Sequence, residues 1–216
     1  MDNLSDLSAK ELLRYPEKCA IVSVDVIKGF CNKGALYSPR VASIVHPIVA
    51  LMKVAWQEGL RNIILTQDSH PEDACEFSSF PPHCIRGTEE SETVDEIQQL
   101  PFFDRILVLE KNSIDSGLSN ELQQWVIDHP QVKNYIVVGD CSDLCTYQLA
   151  MYLRLDANER QITRTVIVPE NCVQTYDTSV EFAKQIGAFA HPGGFMHSLF
   201  LYHMALNGIQ VVKGIQ

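Results

Sequence analysis

The sequence predicts an α/β protein, a doubly wound and mostly parallel β-sheet with helices on both faces in three α/β/α layers, and three observations carry that expectation. Short runs rich in Val and Ile recur along the chain, segments of helical period separate them, and no internal repeat, low-complexity tract or Gly/Ser-rich linker breaks the alternation. Such alternation is the pattern of βαβ units, whose right-handed crossovers lay helices on both sides of a sheet. With 216 residues, 46% of them hydrophobic and 20% charged, the chain can bury one good-sized core, and a single domain over residues 1–216 is expected.

The first helix is expected to start at a capping box, Ser8-x-x-Glu11, and to stop at Pro16, because proline cannot continue a helix. "CAIVSVD" (19–25) then reads as a strand buried on both faces, its apolar run being too continuous for a strand with one wet side. A long amphipathic helix over 41–58 leads to a second strand, "NIILTQ" (62–67). A helix around 91–100 precedes the third, "RILVLEK" (105–111), and one over 119–128 precedes the fourth, "NYIVVGD" (134–140). A helix over 143–157 and a fifth strand, "TRTVIVP" (163–169), follow, and "EFAKQIG" (181–187) and "FMHSLFLYHMAL" (195–206) close the chain as helices.

Composition excludes some classes of function. A formal net charge of −10 argues against a nucleic-acid backbone or an anionic membrane as partner, since both select for Lys/Arg surfaces. The first residues contain no apolar stretch of signal-peptide type, and nothing approaches the roughly 20 apolar residues of a membrane span, so a cytoplasmic protein is expected. Seven cysteines, an odd number with no C-x-x-C pair, point to reduced thiols. Cys141 and Cys145 match no common zinc-ribbon spacing by themselves.

The polar residues fall in a consistent place. Asp25 ends the first strand, Asp68 and His70 follow the second, Lys111 ends the third, and the turn 139–145, with Cys145, follows the fourth. In an open parallel sheet those carboxyl ends share one edge, and the crevice there is the usual ligand site. Singly, each residue has a plainer role: a strand-end Asp caps a turn, a Lys is solvated, a Cys packs as a small apolar group. Their convergence argues for chemistry. In "TQDSHPEDACEFSSFPPHC" (66–84) the D-x-H pair and His83 form either a metal site or a polar loop, and spacing alone leaves both open.

Five stretches, "VSVDVIKGFC", "DSHPEDACEFSSFPPHCIRGTEES", "LEKNSIDSG", "VVGDCSDLCTYQLA" and "AHPGGFMHSLFLY", together resemble the isochorismatase-like cysteine hydrolases, and within them the plant-type nicotinamidase branch. "PPHCIRGTEESE" is the most specific piece. The resemblance implies Asp25 as general base, Lys111 as its lysine and Cys145 as nucleophile. It also implies Asp68, His70 and His83 as metal ligands, a cis peptide at Asp140–Cys141 in the oxyanion turn, and Phe30 and Phe80 against the substrate ring. Glu76 is then a direct or water-mediated ligand, or else a solvated loop carboxylate. An Asp/His/His set suits Zn²⁺, Fe²⁺ or Mn²⁺, with zinc the default for imidazole-rich sites.

Two features depart from the family pattern. Ser69 stands where many relatives have a bulky aromatic, although the plant-type branch also carries Ser; Asp140 and Cys141 replace a small apolar pair. His191 and His197 read as structural or surface residues.

The expected chemistry follows from the placement of Cys145 at a strand-to-helix turn. A helix N-terminus and Lys111 favour the thiolate, Asp25 takes its proton, and backbone N–H groups of the turn hold the oxyanion formed on an amide carbonyl. The expected substrate is nicotinamide or a similar small amide, with the metal orienting the pyridine nitrogen. A sister hydrolase of another amide or carbamoyl compound and a non-catalytic binding protein are the alternatives. An even-numbered homo-oligomer is expected from the frequency of symmetric assemblies.

Overall fold

The computed structural model describes residues 4–216. Its strands are β1 (Cys19–Val24), β2 (Ile63–Asp68), β3 (Leu107–Lys111), β4 (Asn134–Asp140), β5 (Thr165–Pro169), β6 (Val173–Gln174) and β7 (Gln210–Val212). They form one sheet in the order β3-β2-β1-β4-β5-β7, with β6 beside the end of β4, and every pairing is parallel. The longer helices are α1 (Val45–Gln57), α2 (Asn120–Asp128), α3 (Cys145–Glu159), α4 (Val180–Ile186) and α5 (Gly193–Leu206).

The two-residue period of the central strands sorts their side chains into two cores. Ile21, Ile63 and Ile136, matched in register, face α1 with its Ile48 and Met52. Val22, Ile64 and Val137, one residue on, face Leu122 of α2, Leu149 and Leu153 of α3, and Leu201 and Met204 of α5. The strands therefore read as continuous apolar runs because both faces are covered.

Winding reverses between β1 and β4: from β1 the chain moves outward through β2 and β3, then returns to the other side of β1 with β4. The carboxyl ends of β1 and β4 thus flank a topological switch point. Gly139 lets them converge there, with φ +113° and no room for a side chain, since a Cβ would fall 2.0 Å from the Val24 carbonyl oxygen.

Several expected elements are shorter than the sequence suggests. Ser8 does accept a hydrogen bond from Glu11 N, at 3.3 Å, but the helix runs only from Ala9 to Leu12 and a 3₁₀ turn takes Pro16–Lys18. The 41–58 helix divides into Pro39–Ala42 and α1, a restart that puts Pro47 in the first turn, where its missing N–H costs nothing. The 91–100 helix contracts to Asp95–Gln98. β6 and β7, two and three residues long, lie below the length at which a pattern shows. Among the described residues no helix is long and apolar enough to cross a membrane.

Candidate active site

The structure brings Asp25, Lys111 and Cys145 together at the switch point. Asp25 leaves β1 in the left-handed region, φ +55°, uncommon for a residue with a side chain. Its N–H donates to Thr66 O at 2.8 Å, and its Oδ1 accepts from Asp68 N at 2.9 Å, so the carboxylate is fixed from β2. Lys111, opposite Asp68 in the β2–β3 register, places Nζ 2.8 Å from Asp25 Oδ2 and 2.5 Å from Asp68 Oδ1. The contact with Asp25 is an ion pair more than an aligned hydrogen bond, and two carboxylates offset the cost of burying the ammonium.

Charge balance in this pocket follows from burial. Burial raises the Asp25 carboxyl first, the neighbouring Asp68 raises it further, and Lys111 opposes both, leaving a pKa of about 7. Burial works against the Lys111 ammonium, but Asp25 and Asp68 outweigh it and hold its pKa well above the usual value. Ligating atoms of Asp25, Asp68 and Cys145 lie within 4.8 Å of one another.

Cys145 is buried in the same pocket. Burial pushes its thiol well above the ordinary range, Asp25 and Asp68 add to that, and Lys111 offsets only part of it. Beside it stands the Asp25 carboxyl, poised near neutrality.

The turn from β4 to α3 carries the cis peptide Asp140–Cys141. Ser142 N donates to Gln174 O at 2.9 Å, while Leu144 N and Thr146 N converge on Cys141 O at 3.0 and 3.1 Å. The N–H groups of Cys141 and Cys145 take no part in these bonds, and Cys145 is the first residue of α3. Asp140 is buried, with burial first and then Asp25 and Asp68 pushing its carboxyl well above the usual carboxylate value, against a smaller opposing pull from Lys111. Burial also raises the Cys141 thiol, which turns toward Thr175 and Tyr176. All seven cysteines are free.

Beside this cluster Asp68, His70 and His83, all buried, bring three ligating atoms within 4.8 Å of one another. Their hydrogen bonds make them fit a metal. His70 Nδ1 meets Asn112 Oδ1 at 2.7 Å and His83 Nδ1 meets the Pro81 carbonyl at 2.8 Å; both oxygens accept, so each ring donates from Nδ1 and leaves Nε2 as the nitrogen available to a metal. His70 Nε2 is buried and has no hydrogen-bond partner. Two imidazole nitrogens and a carboxylate oxygen suit zinc, iron or manganese. Glu76 approaches but stays outside the trio, its Oε1 4.0 Å from His83 Nε2.

Aromatic rings gather around His83. Phe30 lies 5.8 Å and Phe80 6.3 Å from it between ring centroids. Phe77, 5.5 Å from both His70 and His83, is nearer still and was not singled out by sequence, nor was Asn112. Position within the loop joining the two histidines was the available signal for Phe77, and adjacency to Lys111 for Asn112. Ser69 leaves room for Arg86, whose Nε reaches Ser69 Oγ at 3.2 Å. His191 and His197 are structural, bonded to Asp143 and Ser142 at 2.7 and 2.9 Å.

Residues 19–194 match the family model of the isochorismatase domain. The chain belongs to the isochorismatase family. Within that family it is similar to Nicotinamidase 1 of Arabidopsis thaliana, with 31% identity over 94% of this chain and 89% of that protein. Its fold is similar to that of nicotinamidase PncA from Bacillus subtilis, with a TM-score of 0.70 at 23% identity over 90% of this chain and 99% of that one. N-carbamoylsarcosine amidase from Thermoplasma acidophilum gives a TM-score of 0.66 at 22% identity, over 91% and 96% of the two chains. This isochorismatase-family chain is a hydrolase of the amidase type.

Proposed function

We propose that the protein is a nicotinamidase, converting nicotinamide and water to nicotinic acid and ammonia through a Cys145 thioester. One observation carries this reading: the cysteine cluster and the Asp/His/His cluster share Asp68, so a nucleophile and a site for orienting a ring nitrogen stand side by side. The 31% identity to a plant nicotinamidase supports it.

In the first half-reaction Asp25 accepts the Sγ proton as sulfur bonds to the amide carbon, and the N–H groups of Cys141 and Cys145 receive the oxyanion. Asp25 then gives that proton to the departing nitrogen, the C–N bond breaks and ammonia leaves. Water, deprotonated by Asp25, adds to the thioester; the C–S bond breaks and sulfur recovers its proton. Lys111 balances the charge on Asp25 and Asp68 throughout. Asp68, His70 and His83 would hold a divalent metal, which would supply a Lewis acid for orienting a ring nitrogen, and Glu76 is near enough to act through water. Phe30, Phe77 and Phe80 offer faces and edges for the ring.

A sister amidohydrolase acting on another small amide or carbamoyl compound is the second reading, favoured by the fold shared with N-carbamoylsarcosine amidase. It would use Asp25, Lys111 and Cys145 but leave the buried, unpartnered Nε2 of His70 without a task. An ammonia-release assay on nicotinamide, with metal analysis of the same sample, separates them. Release of ammonia supports the first reading; none at millimolar nicotinamide with metal bound moves the assignment to the second. A single domain, cytoplasmic location and an even-numbered homo-oligomer remain part of the proposal, the last tested by sedimentation.

A further inference from the structure

The turn that presents Cys145 is gripped from outside by two histidines of the C-terminal segment. Ser142 and Asp143 stand between the N–H groups of Cys141 and Cys145, and both side chains are buried. Ser142 Oγ lies 2.9 Å from His197 Nδ1, and Asp143 Oδ2 lies 2.7 Å from His191 Nε2. The other oxygen of Asp143 is buried with no partner, so among the described residues the hydrogen bond to His191 alone fixes this carboxylate.

His191 is anchored in its turn. Its Nδ1 is 2.9 Å from the Tyr176 carbonyl, its ring stacks on Tyr176 at 3.8 Å and 13°, and its backbone exchanges two 2.8 Å hydrogen bonds with Thr178. The Tyr176 carbonyl can only accept, so Nδ1 donates to it, and Nε2 is the atom turned to the Asp143 carboxylate. Gly193 brings the start of α5 against the same point: a Cβ there would fall 2.2 Å from Tyr176 O. The segment it presses on runs back to Gln174, which pairs with β4 and takes the Ser142 N–H. One backbone bond and two imidazoles thus hold a turn of six residues, 140–145.

We propose that His191 and His197 are positioning residues of the hydrolysis, clamping Ser142 and Asp143 so that the N–H groups of Cys141 and Cys145 keep the spacing an oxyanion requires. The inference rests on Cys145 being the nucleophile of the proposed function, and neither histidine touches the reacting atoms. An error of about 1 Å in such donors can cost on the order of a hundredfold in rate.

The test uses the full chain and two probes: nicotinamide, and p-nitrophenyl acetate, whose acylation of Cys145 needs the same donors but no pyridine site. Asn at 191 can keep the Tyr176 contact but not the one to Asp143, whereas Gln can reach Asp143. Asn at 197 can keep the Ser142 contact, and Ala cannot. His191→Asn and His197→Ala should lower kcat and the acylation burst by about ten- to a hundredfold, with KM within about twofold and iodoacetamide labelling of Cys145 unchanged. His191→Gln and His197→Asn should recover most of the loss.

An acylation burst within about twofold of wild type in a cooperatively folding His191→Asn would overturn the clamp. So would a loss that Gln does not recover, or a matching loss of labelling, which would place the effect on the thiol. Wild-type acylation without nicotinamide hydrolysis counts against the nicotinamide assignment alone, and the clamp is then decided by the burst.

Discussion

The reacting cluster and the metal-fitting cluster stand side by side but are held by different means. Asp25, Lys111 and Cys145 come from the ends of β1, β3 and β4, which the sheet fixes against one another through the registers of β1–β2, β2–β3 and β1–β4. His83 arrives on a stretch of irregular chain that leaves β2 and is tied back by a single parallel bridge between His70 and Ile85. Its ring is set by a carbonyl only two residues away, that of Pro81. Asp68 alone belongs to both clusters. Under the proposed function, nucleophile activation is built into the sheet and ring orientation depends on a loop held by local bonds, so damage to the loop should spare the nucleophile.

The hardest test of that separation removes the sheet side. Cys145→Ala should lower turnover by on the order of a millionfold, as loss of a covalent nucleophile does elsewhere, while a folded Cys145→Ala still binds metal. Cys141→Ala should keep turnover within about tenfold, because its thiol faces Thr175 and Tyr176 and the turn needs only its backbone. Measurable thioester chemistry in Cys145→Ala would end the mechanism.

Removing the loop side gives a smaller effect. His83→Ala, or chelation, should cost nicotinamide hydrolysis on the order of a hundredfold through misplacement of the reacting carbon, yet leave alkylation of Cys145 near the wild-type rate. Benzamide, which lacks the ring nitrogen, should be a poor substrate before chelation and little worse after it. Asp68→Asn should differ from His83→Ala by changing the alkylation rate as well, since Asp68 is a direct partner of Lys111. If alkylation falls equally in His83→Ala, the two clusters are not separable and the comparison fails.

What the sequence made legible follows the same division. Strand ends are legible because both-face burial writes continuous apolar runs, and the sequence therefore puts Asp25, Asp68, Lys111 and Cys145 on one edge. His83 and the ring residues had no such periodic frame: resemblance pointed to Phe30 and Phe80, but Phe77 depends on how an irregular loop folds back. The raised thiol of Cys145 comes from burial and two adjacent carboxylates, which are properties of the assembled pocket, whereas the helix terminus and Lys111 are readable locally. Asn112 sits beside Lys111 in the chain, but its bond to His70 crosses between neighbouring strand ends. β6 is only two residues long, yet Gln174, its last residue, takes the Ser142 N–H.

The smallest effect expected is a pH dependence on the sheet side, at His197. Its pKa is lowered, by burial first and then by the positive charge of Arg40, with Asp143 pulling weakly the other way. The fold therefore prefers the neutral ring, and the unfolded chain, with an ordinary value near about 6.5, takes up the proton more readily. This contribution is fully present above about pH 6.5 and is lost as pH falls through the lower folded-state value. Many carboxylates titrate over the same acid range, so the informative quantity is the difference in melting temperature between wild type and His197→Asn, which keeps a polar contact for Ser142 but does not titrate. That difference should move in favour of the variant as pH drops from 7.5 to 5, by roughly 2–4 °C for each kcal/mol lost. A difference that stays constant over this range would show that the turn is insensitive to the charge on His197, and the same pair of proteins should show no change between pH 7.5 and 8.5, where the ring is neutral in both states.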